Sequence, residues 1–238
     1  DRGQVRPGRP VRRPQQRGFH RVIAQALTHI EQYTFATKSN EWTLGEFKAS
    51  AHLNDGALGQ AMTSFANNPN DSAAANAIAQ FPHLVGKIRT TCVATMMNGG
   101  HAENALPQHA EATINCRIFP GTPASEVQAL LQKLAGPEVK VNSVYKPLES
   151  APSPLRDDVV KAVSDAVHVN YPRAQIVPTQ AAYATDGAVF RKYGIPTYGV
   201  GSTFIKPSDE FAHGLNERIP VDTFYNGLSY WDHLIKAL

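Results

Sequence analysis

Several residue types and patterns are scarce in this chain of 238 residues, and each shortage excludes something. There are two cysteines, Cys92 and Cys116. So far apart in sequence, they form no Cys-x-x-Cys redox or zinc motif, and two are too few for a disulfide-dense scaffold. Both sit in strand-like runs, where they are expected as buried free thiols. No run approaches the roughly 20 apolar residues of a membrane span. Positive charge is also scarcer than the formal net of +3 suggests. Residues 1–17 hold six arginines (Arg2, Arg6, Arg9, Arg12, Arg13 and Arg17) against Asp1, a local +5, which leaves −2 for the remainder. The body therefore has no basic face, and neither a nucleic-acid nor a membrane partner is expected. Residues 1–17 have no hydrophobic periodicity, carry three prolines and lack the apolar centre of a signal peptide, so they read as a disordered Arg/Pro-rich arm. A nucleic-acid tether through this arm would lose affinity steeply with salt and entirely on deletion of the arm. The start at Asp1 rather than Met fits a fragment.

What is present is ordinary core material, 42% apolar, enough for one large domain or two small ones. Val22, Ile23, Ala26, Leu27 and Ile30 share a face at helical spacing and predict a helix from Phe19 to Phe35. Residues 38–88 are alanine-rich and read as mostly helical, broken at Asn67-Asn68-Pro69-Asn70, with Asp71 or Ser72 capping the next helix. The pattern then changes. Ile88 to Met97 is a strand candidate that ends at Gly99-Gly100. Residues 109–119 alternate, with Ala110, Ala112, Ile114, Cys116 and Ile118 on one side and His109, Glu111, Thr113, Asn115 and Arg117 on the other. A helix from Ala124 to Leu134 and a third strand from Val139 to Tyr145 complete most of a ferredoxin-like α+β layer. Ser150-Ala151-Pro152-Ser153-Pro154 reads as a linker. Beyond it, a helix (Leu155–Val169), a strand (Gln175–Pro178), a short helix (Asp186–Tyr193), a strand (Ile195–Val200) and a last helix (Val221–Leu238) alternate as in an α/β layer.

Few residues here offer chemistry. His213 lies in a polar loop, Phe211-Ala212-His213-Gly214-Leu215-Asn216-Glu217, where an imidazole could bind metal, yet a catalytic zinc needs about three protein ligands. By itself His213 also reads as a solvated loop histidine. Thr185-Asp186-Gly187 precedes a helix, where free N–H groups hold an anion or a carbonyl oxygen; a plain helix cap is compatible with that. Asn104 lies in a Gly-Gly-x-x-x-Asn-x-x-Pro turn. Arg117, on the polar side of its strand, can take a carboxylate through two parallel hydrogen bonds, or pair with Glu111 or another surface acid. His101-Ala102-Glu103 and His109-Ala110-Glu111 each place two donors on one side of an extended segment, and read as surface polar residues.

Three segments together resemble the di-zinc metallopeptidase family M20, which includes aminoacylase, glutamate carboxypeptidase, carboxypeptidase S and succinyl-diaminopimelate desuccinylase. They are Gly99-Gly100-His101-Ala102-Glu103-Asn104-Ala105-Leu106-Pro107 through Arg117-Ile118-Phe119-Pro120-Gly121; Ala184-Thr185-Asp186-Gly187 through Gly194-Ile195-Pro196; and Ala212-His213-Gly214-Leu215-Asn216-Glu217-Arg218-Ile219-Pro220. The resemblance implies an α/β architecture: a ferredoxin-like lid (dimerisation) domain at 18–146 with a helical insert at 38–88, and at 150–238 the C-terminal part of an α/β/α zinc-peptidase catalytic layer. It implies a homodimer through the lid. It makes His213 the last metal ligand, and Asn104, Arg117, Thr185, Asp186 and Gly187 the substrate contacts. It implies two zinc ions, or other divalent metals, in the complete enzyme, and as substrate a peptide or N-acyl amino acid with a free carboxylate.

The departures are as informative. The family's other ligands come from a His-x-Asp motif, a bridging aspartate and a Glu-Glu pair, and this chain has neither His-x-Asp nor Glu-Glu. The general base is missing with them, as is the Gly-His-Ser-like opening of the lid. The resulting expectation is the lid and C-terminal portion of a zinc amidohydrolase or exopeptidase, inactive as an isolated chain. The alternative is a non-enzymatic dimerisation or binding module. An incomplete α/β sheet should leave apolar strand faces open. Self-association through residues 174–200 is therefore expected in sedimentation velocity, and a monomer with a cooperative, high-temperature melt would contradict truncation.

Overall fold

The computed structural model describes residues 18–54, 56–209, 211–212 and 214–238. The arm expected to be disordered, residues 1–17, lies outside them. The chain divides into two compact units. The first holds residues 18–35, Thr91–Cys116 and Ala124–Tyr145; the second holds Ala36–Thr90, Arg117–Pro123 and Lys146–Leu238.

In the first unit, α1 (Phe19–Gln32) buries Ala26 and Ile30 and packs on α6 (Ala124–Ala135) and on β1 (Thr91–Gly99). α6 answers with buried Val127 and Leu131, so two apolar stripes of period 3.6 close on each other. The His29 imidazole meets the Leu134 carbonyl at 3.2 Å. β1 pairs with β2 (Ala110–Arg117) in a two-stranded sheet. Cys92 lies opposite Cys116, the Thr95 hydroxyl donates to the Thr113 carbonyl, and Gly99 lies beside Ala110. A rising number on one strand against a falling one on the other is the antiparallel register. The alternation expected in β2 holds except at Thr113: Glu111, Asn115 and Arg117 are exposed and Ala112, Ile114 and Cys116 half-buried, but Thr113 is half-buried as well.

Two expectations for this unit are corrected. Cys92 and Cys116 are not free thiols but a disulfide across the strand pair, Cα–Cα 4.1 Å, closing a sequence separation of 24. Both strands were legible; their register, which brings the two sulfurs together, is a non-local property. Loop closure of this length contributes about 3 kcal/mol in the chain-entropy account. The expected third strand, Val139 to Tyr145, does not form. Gln132 donates to the carbonyls of Gly136 and Val139 and accepts from the Val141 N–H, and Gln128 donates to the Val141 carbonyl. Two glutamines of α6 thus take the backbone groups that a sheet partner would need.

The second unit begins with a helical block: α2 (Glu41–Ser50), a 3₁₀ turn at Ala51–Leu53, α3 (Gly56–Asn67), α4 (Ser72–Ala79) and α5 (Pro82–Val85). Asn40 caps α2 in a reciprocal box with Thr43, which the sequence reading did not single out, and of the two cap candidates Asp71 and Ser72 it is Asp71 that caps α4, accepting from the Ala74 N–H at 3.0 Å. Phe47, Phe65, Ile78 and Ile88 are fully buried in one core with Met62 and Leu84. Gly59 is required here, because a Cβ would stand 2.2 Å from the Asn54 carbonyl oxygen and 2.7 Å from that of Ala51.

The chain leaves this block through a set of cross-ties. Lys38 N–H donates to the Ile88 carbonyl at 2.8 Å, and the Lys38 ammonium donates to the Thr122 hydroxyl at 2.7 Å. Phe119 N–H donates to the buried Thr90 hydroxyl at 3.0 Å. Arg89, 6% exposed, donates to the Thr37 hydroxyl, but its Nε has no partner. Burial lowers its pKa from the ordinary arginine value.

The remainder of the second unit contains α7 (Asp157–His168), α8 (Gly187–Lys192) and α9 (Val221–Ala237). Ala162, Ala166 and Val167 of α7 pack against Tyr230 and Leu234 of α9. The opposite side of α9 exposes Val221, Phe224, Tyr225, Leu228 and Ile235. Residues 175–178 and 195–200 do not form the expected strands. Their polar groups are met elsewhere. Ser153 Oγ donates to the Thr197 carbonyl and accepts from its N–H, and the Tyr198 hydroxyl donates to the Pro154 carbonyl. Parallel strands need neighbours for their ladders, and among the described residues no strand lies beside these segments. Tyr183, Tyr193 and Ile195 stand in solvent. The fold is α/β as expected: among the described residues, helices together with a small antiparallel sheet, with a smaller share of strand than the sequence suggested.

Two stability outcomes follow from these contacts. Gly59→Ala should lower the unfolding free energy by about 2 kcal/mol in urea titrations, because backbone rather than a flexible side chain must yield. The Tyr230 hydroxyl is buried without a partner, and burial raises its pKa. A phenol whose folded pKa is raised contributes stability in full below its unfolded value of about 10 and loses it as pH climbs through the folded value. Wild-type melting temperature should therefore fall above about pH 10. Tyr230→Phe should flatten that fall, and at pH 7 should be neutral or stabilising by about 1 kcal/mol.

Candidate functional site

Each residue singled out from the sequence has a definite place, except one. Asn104 is exposed in the connection between β1 and β2, where the Ala105 N–H donates to the Ala102 carbonyl. Gly99 and Gly100, which open that connection, lie under His20 of α1: a Cβ on Gly99 would stand 2.7 Å from the imidazole Nε2. His20, Ala24, Met97, Asn98 and Gly99 line an open cleft in the first unit. Asn104 belongs to this unit, whereas Arg117 and Thr185–Gly187 belong to the second.

Arg117 is the last residue of β2 and is exposed. Among the described residues it makes no ion pair. Glu111, one candidate partner, pairs instead with His109 at 3.5 Å, both side chains well exposed. That contact accounts for the second His-x-Glu doublet as a surface pair two residues apart on one strand side.

Thr185, Asp186 and Gly187 are gathered in a single turn at the start of α8. The Ala188 N–H donates to the Thr185 carbonyl at 3.1 Å and the Val189 N–H to that of Asp186 at 2.9 Å. Asp186 occupies the cap position, but its side chain makes no capping bond. Gly187 is buried, and a Cβ there would meet Arg191 Nη1, Thr185 Oγ1 and Thr197 Cγ2 at 2.9–3.1 Å. The glycine is set by close packing rather than by its φ.

His213 lies outside the described residues. Its neighbours form a braced loop. The Gly214 N–H donates to the Phe211 carbonyl at 2.8 Å, the Arg218 guanidinium lies 5.0 Å from the Phe211 ring centroid, and Arg218 pairs with Asp209. Among the described residues no group of three or more His, Cys, Asp or Glu side chains is placed to hold a metal ion. The described donors do not fit a zinc centre, which needs about three protein ligands.

Sequence reasoning missed a polar clamp that holds the segment leading to Thr185. Glu46 of α2 pairs with Lys87, the two side chains 14% and 15% exposed. The Thr179 hydroxyl donates to Glu46, the Lys87 ammonium donates to Thr179 at 3.1 Å, and Asn40 donates to Gln180. The partners lie up to 140 positions apart, so no local pattern announces them.

With this geometry in place, the chain can be set against known proteins. Residues 49–142 match the family model of the M20 peptidase dimerisation domain. N-fatty-acyl-amino acid synthase/hydrolase PM20D1 of Homo sapiens is 29% identical over 154 residues, 63% of this chain and 31% of that protein. Probable carboxypeptidase S-like 2 of Dictyostelium discoideum is 25% identical, covering 65% of this chain and 30% of its own length. Aminoacylase-1 of Mus musculus is 26% identical, covering 66% and 39%. The crystal structure of an M20 family metallo-carboxypeptidase from Sulfolobus solfataricus superposes with a TM-score of 0.51 at 15% identity, over 93% of this chain and 56% of that one; this likeness concerns the fold. Residues 49–142 are thus similar to an M20 peptidase dimerisation domain, and the relatives matched are named as hydrolases or peptidases of the acyl-amino-acid and carboxypeptidase kind. It spans about 30% of the length of the curated relatives it matches first.

The clamp gives a direct test of what holds the 179–187 segment. Glu46→Gln should cost about 2 kcal/mol in chemical denaturation, since it leaves a largely buried ammonium without its charge partner. Replacing both partners together, Glu46→Leu with Lys87→Met, should recover most of that loss.

Proposed function

We propose that this chain is the lid and the C-terminal part of a zinc-dependent amidohydrolase or exopeptidase, acting on a peptide or N-acyl amino acid with a free carboxylate. The observation that carries this reading is the dimerisation-domain match over residues 49–142 together with relatives named as acyl-amino-acid and carboxypeptidase-type hydrolases. The domain division proposed is an arm at 1–17, a lid at 18–146 with its helical insert at 38–88, and a C-terminal catalytic portion at 150–238.

In this reading Arg117 takes the substrate carboxylate. A guanidinium that makes no ion pair among the described residues is available to form two parallel, charge-assisted bonds. The Asn104 amide donates to the carbonyl oxygen that gains charge during addition. The backbone at Thr185–Gly187 contacts the substrate, with Gly187 packed closely against the Arg191, Thr185 and Thr197 side chains. His213 is the last metal ligand of the assembled site. Zinc, if held by His213 together with ligands from elsewhere, would supply a water acidic enough to act near neutral pH and would polarise the scissile carbonyl. The residues that complete its ligand set, and the general base, are to come from elsewhere, and the isolated chain is inactive.

Purified chain incubated with zinc and N-acyl amino acids should give no metal-dependent turnover, and zinc should leave its melting temperature unchanged. Metal-dependent hydrolysis by the chain alone would overturn the reading. Genomic DNA upstream of residue 18, read in all three frames, should contain a His-x-Asp and a Glu-Glu. The matched domain is itself named for dimerisation, which favours a second reading as a non-enzymatic dimerisation or binding module. In either case the lid should give a homodimer in sedimentation equilibrium that persists in a chelator. No ligand-bearing upstream sequence would then leave the module as the function.

A further inference from the structure

We propose that the Cys92–Cys116 bridge is a thiol–disulfide control site that governs the order of the segment carrying Asn104. The bridge joins the second residue of β1 to the seventh of β2. Nearly all of both strands and the whole connection between them lie inside the closed loop. Beyond the packing of α1 on β1 and of His20 on Gly99 and Gly100, little else holds that segment. Residues 93–99 of β1 are exposed, with Val93, Met96 and Met97 each more than 60% open to solvent. The sheet has two strands, and a pair of strands alone is marginal in water. Within the connection, one backbone bond ties Ala105 to Ala102, at 3.4 Å. A covalent tie at the base of so thinly packed a hairpin therefore carries most of its order.

The chemistry at the site is restricted. The chain has two cysteines and both are in the bridge, so no third sulfur of its own can reshuffle it. Both residues are half-buried rather than sealed, which leaves a sulfur open to an external thiolate. The reductant is a low-molecular-weight thiol of the glutathione class or a protein dithiol. A first thiolate attacks one bridge sulfur, giving a mixed disulfide and one cysteine thiolate. A second thiol resolves the mixed disulfide. Two external thiols lose two protons and two electrons to become a disulfide, and Cys92 and Cys116 each gain a proton and an electron to become thiols. Oxidised glutathione runs the sequence backwards. In an oxidising setting the Asn104 connection is held; in a reducing one it is released. The weight given to Asn104 rests on the function proposed above, whereas the redox control of the hairpin does not.

The full chain tests this without any activity assay. Denatured in iodoacetamide without reductant, it should take up no label by intact mass; after dithiothreitol it should take up two. Under native conditions, amide exchange in peptides covering residues 98–112 should accelerate at least tenfold on reduction. Peptides from α3 and α9 should change less than twofold, and oxidised glutathione should restore protection. Cys92→Ser with Cys116→Ser should reproduce the reduced pattern without reductant; if that variant fails to fold, the wild-type measurement decides alone. Labelling before reduction, unchanged exchange in 98–112, or equal acceleration throughout the chain would each overturn the proposal. Failure of the proposed hydrolase function would alter none of these readings.

Discussion

Thr90 and Phe119 stand where the helical block of the second unit gives way to the strand pair, and again where the chain returns. The bond between them lies out of water, where an unmet N–H costs more than the bond itself contributes. Arg89 and Lys38 fasten the same stretch to Thr37, Ile88 and Thr122. The excursion from residue 91 to 116 thus begins and ends at a fixed place, and the bridge at Cys92–Cys116 stands immediately beyond it. Arg89 keeps a buried guanidinium Nε without a partner at this point, which marks the junction as one where position outranks local comfort.

Much of this was legible in the sequence wherever the governing forces are local. Helices α1 and α6 were read from apolar spacing, because a stripe of period 3.6 has to be buried against something. Asp71 was read as a cap because its carboxylate can reach an N–H three residues on. The alternation from Ala110 to Cys116 was read for the same reason at period two. What escaped were pairings between distant segments. Register decided the fate of the cysteines, two glutamines of α6 displaced a strand at 139–145, and the sheet neighbours that 175–178 and 195–200 require are not among the described residues. Hydrophobic pattern records a segment's readiness to be a strand; it does not record whether a partner exists.

The candidate substrate residues divide in the same way. Asn104 in its turn, Arg117 at a strand end and Thr185–Gly187 at a helix start occupy the local settings the sequence implied. The Glu46–Lys87–Thr179 clamp was invisible, yet it fixes the approach to Thr185. It gives the helical block a role beyond its own core, as the support on which the 179–187 segment is held. A zinc centre asks for a convergence of ligands that the described residues do not make.

The outward side of α9 has a calorimetric consequence. Val221, Phe224, Tyr225, Leu228 and Ile235 are already hydrated while the helix is folded. The heat capacity gained on melting comes from apolar surface newly wetted, ordinarily about 12–15 cal/mol/K per residue. Surface wet at the outset adds nothing to that increment. The chain should melt with a heat-capacity step below what its length implies, and its stability should vary with temperature along a correspondingly flatter curve.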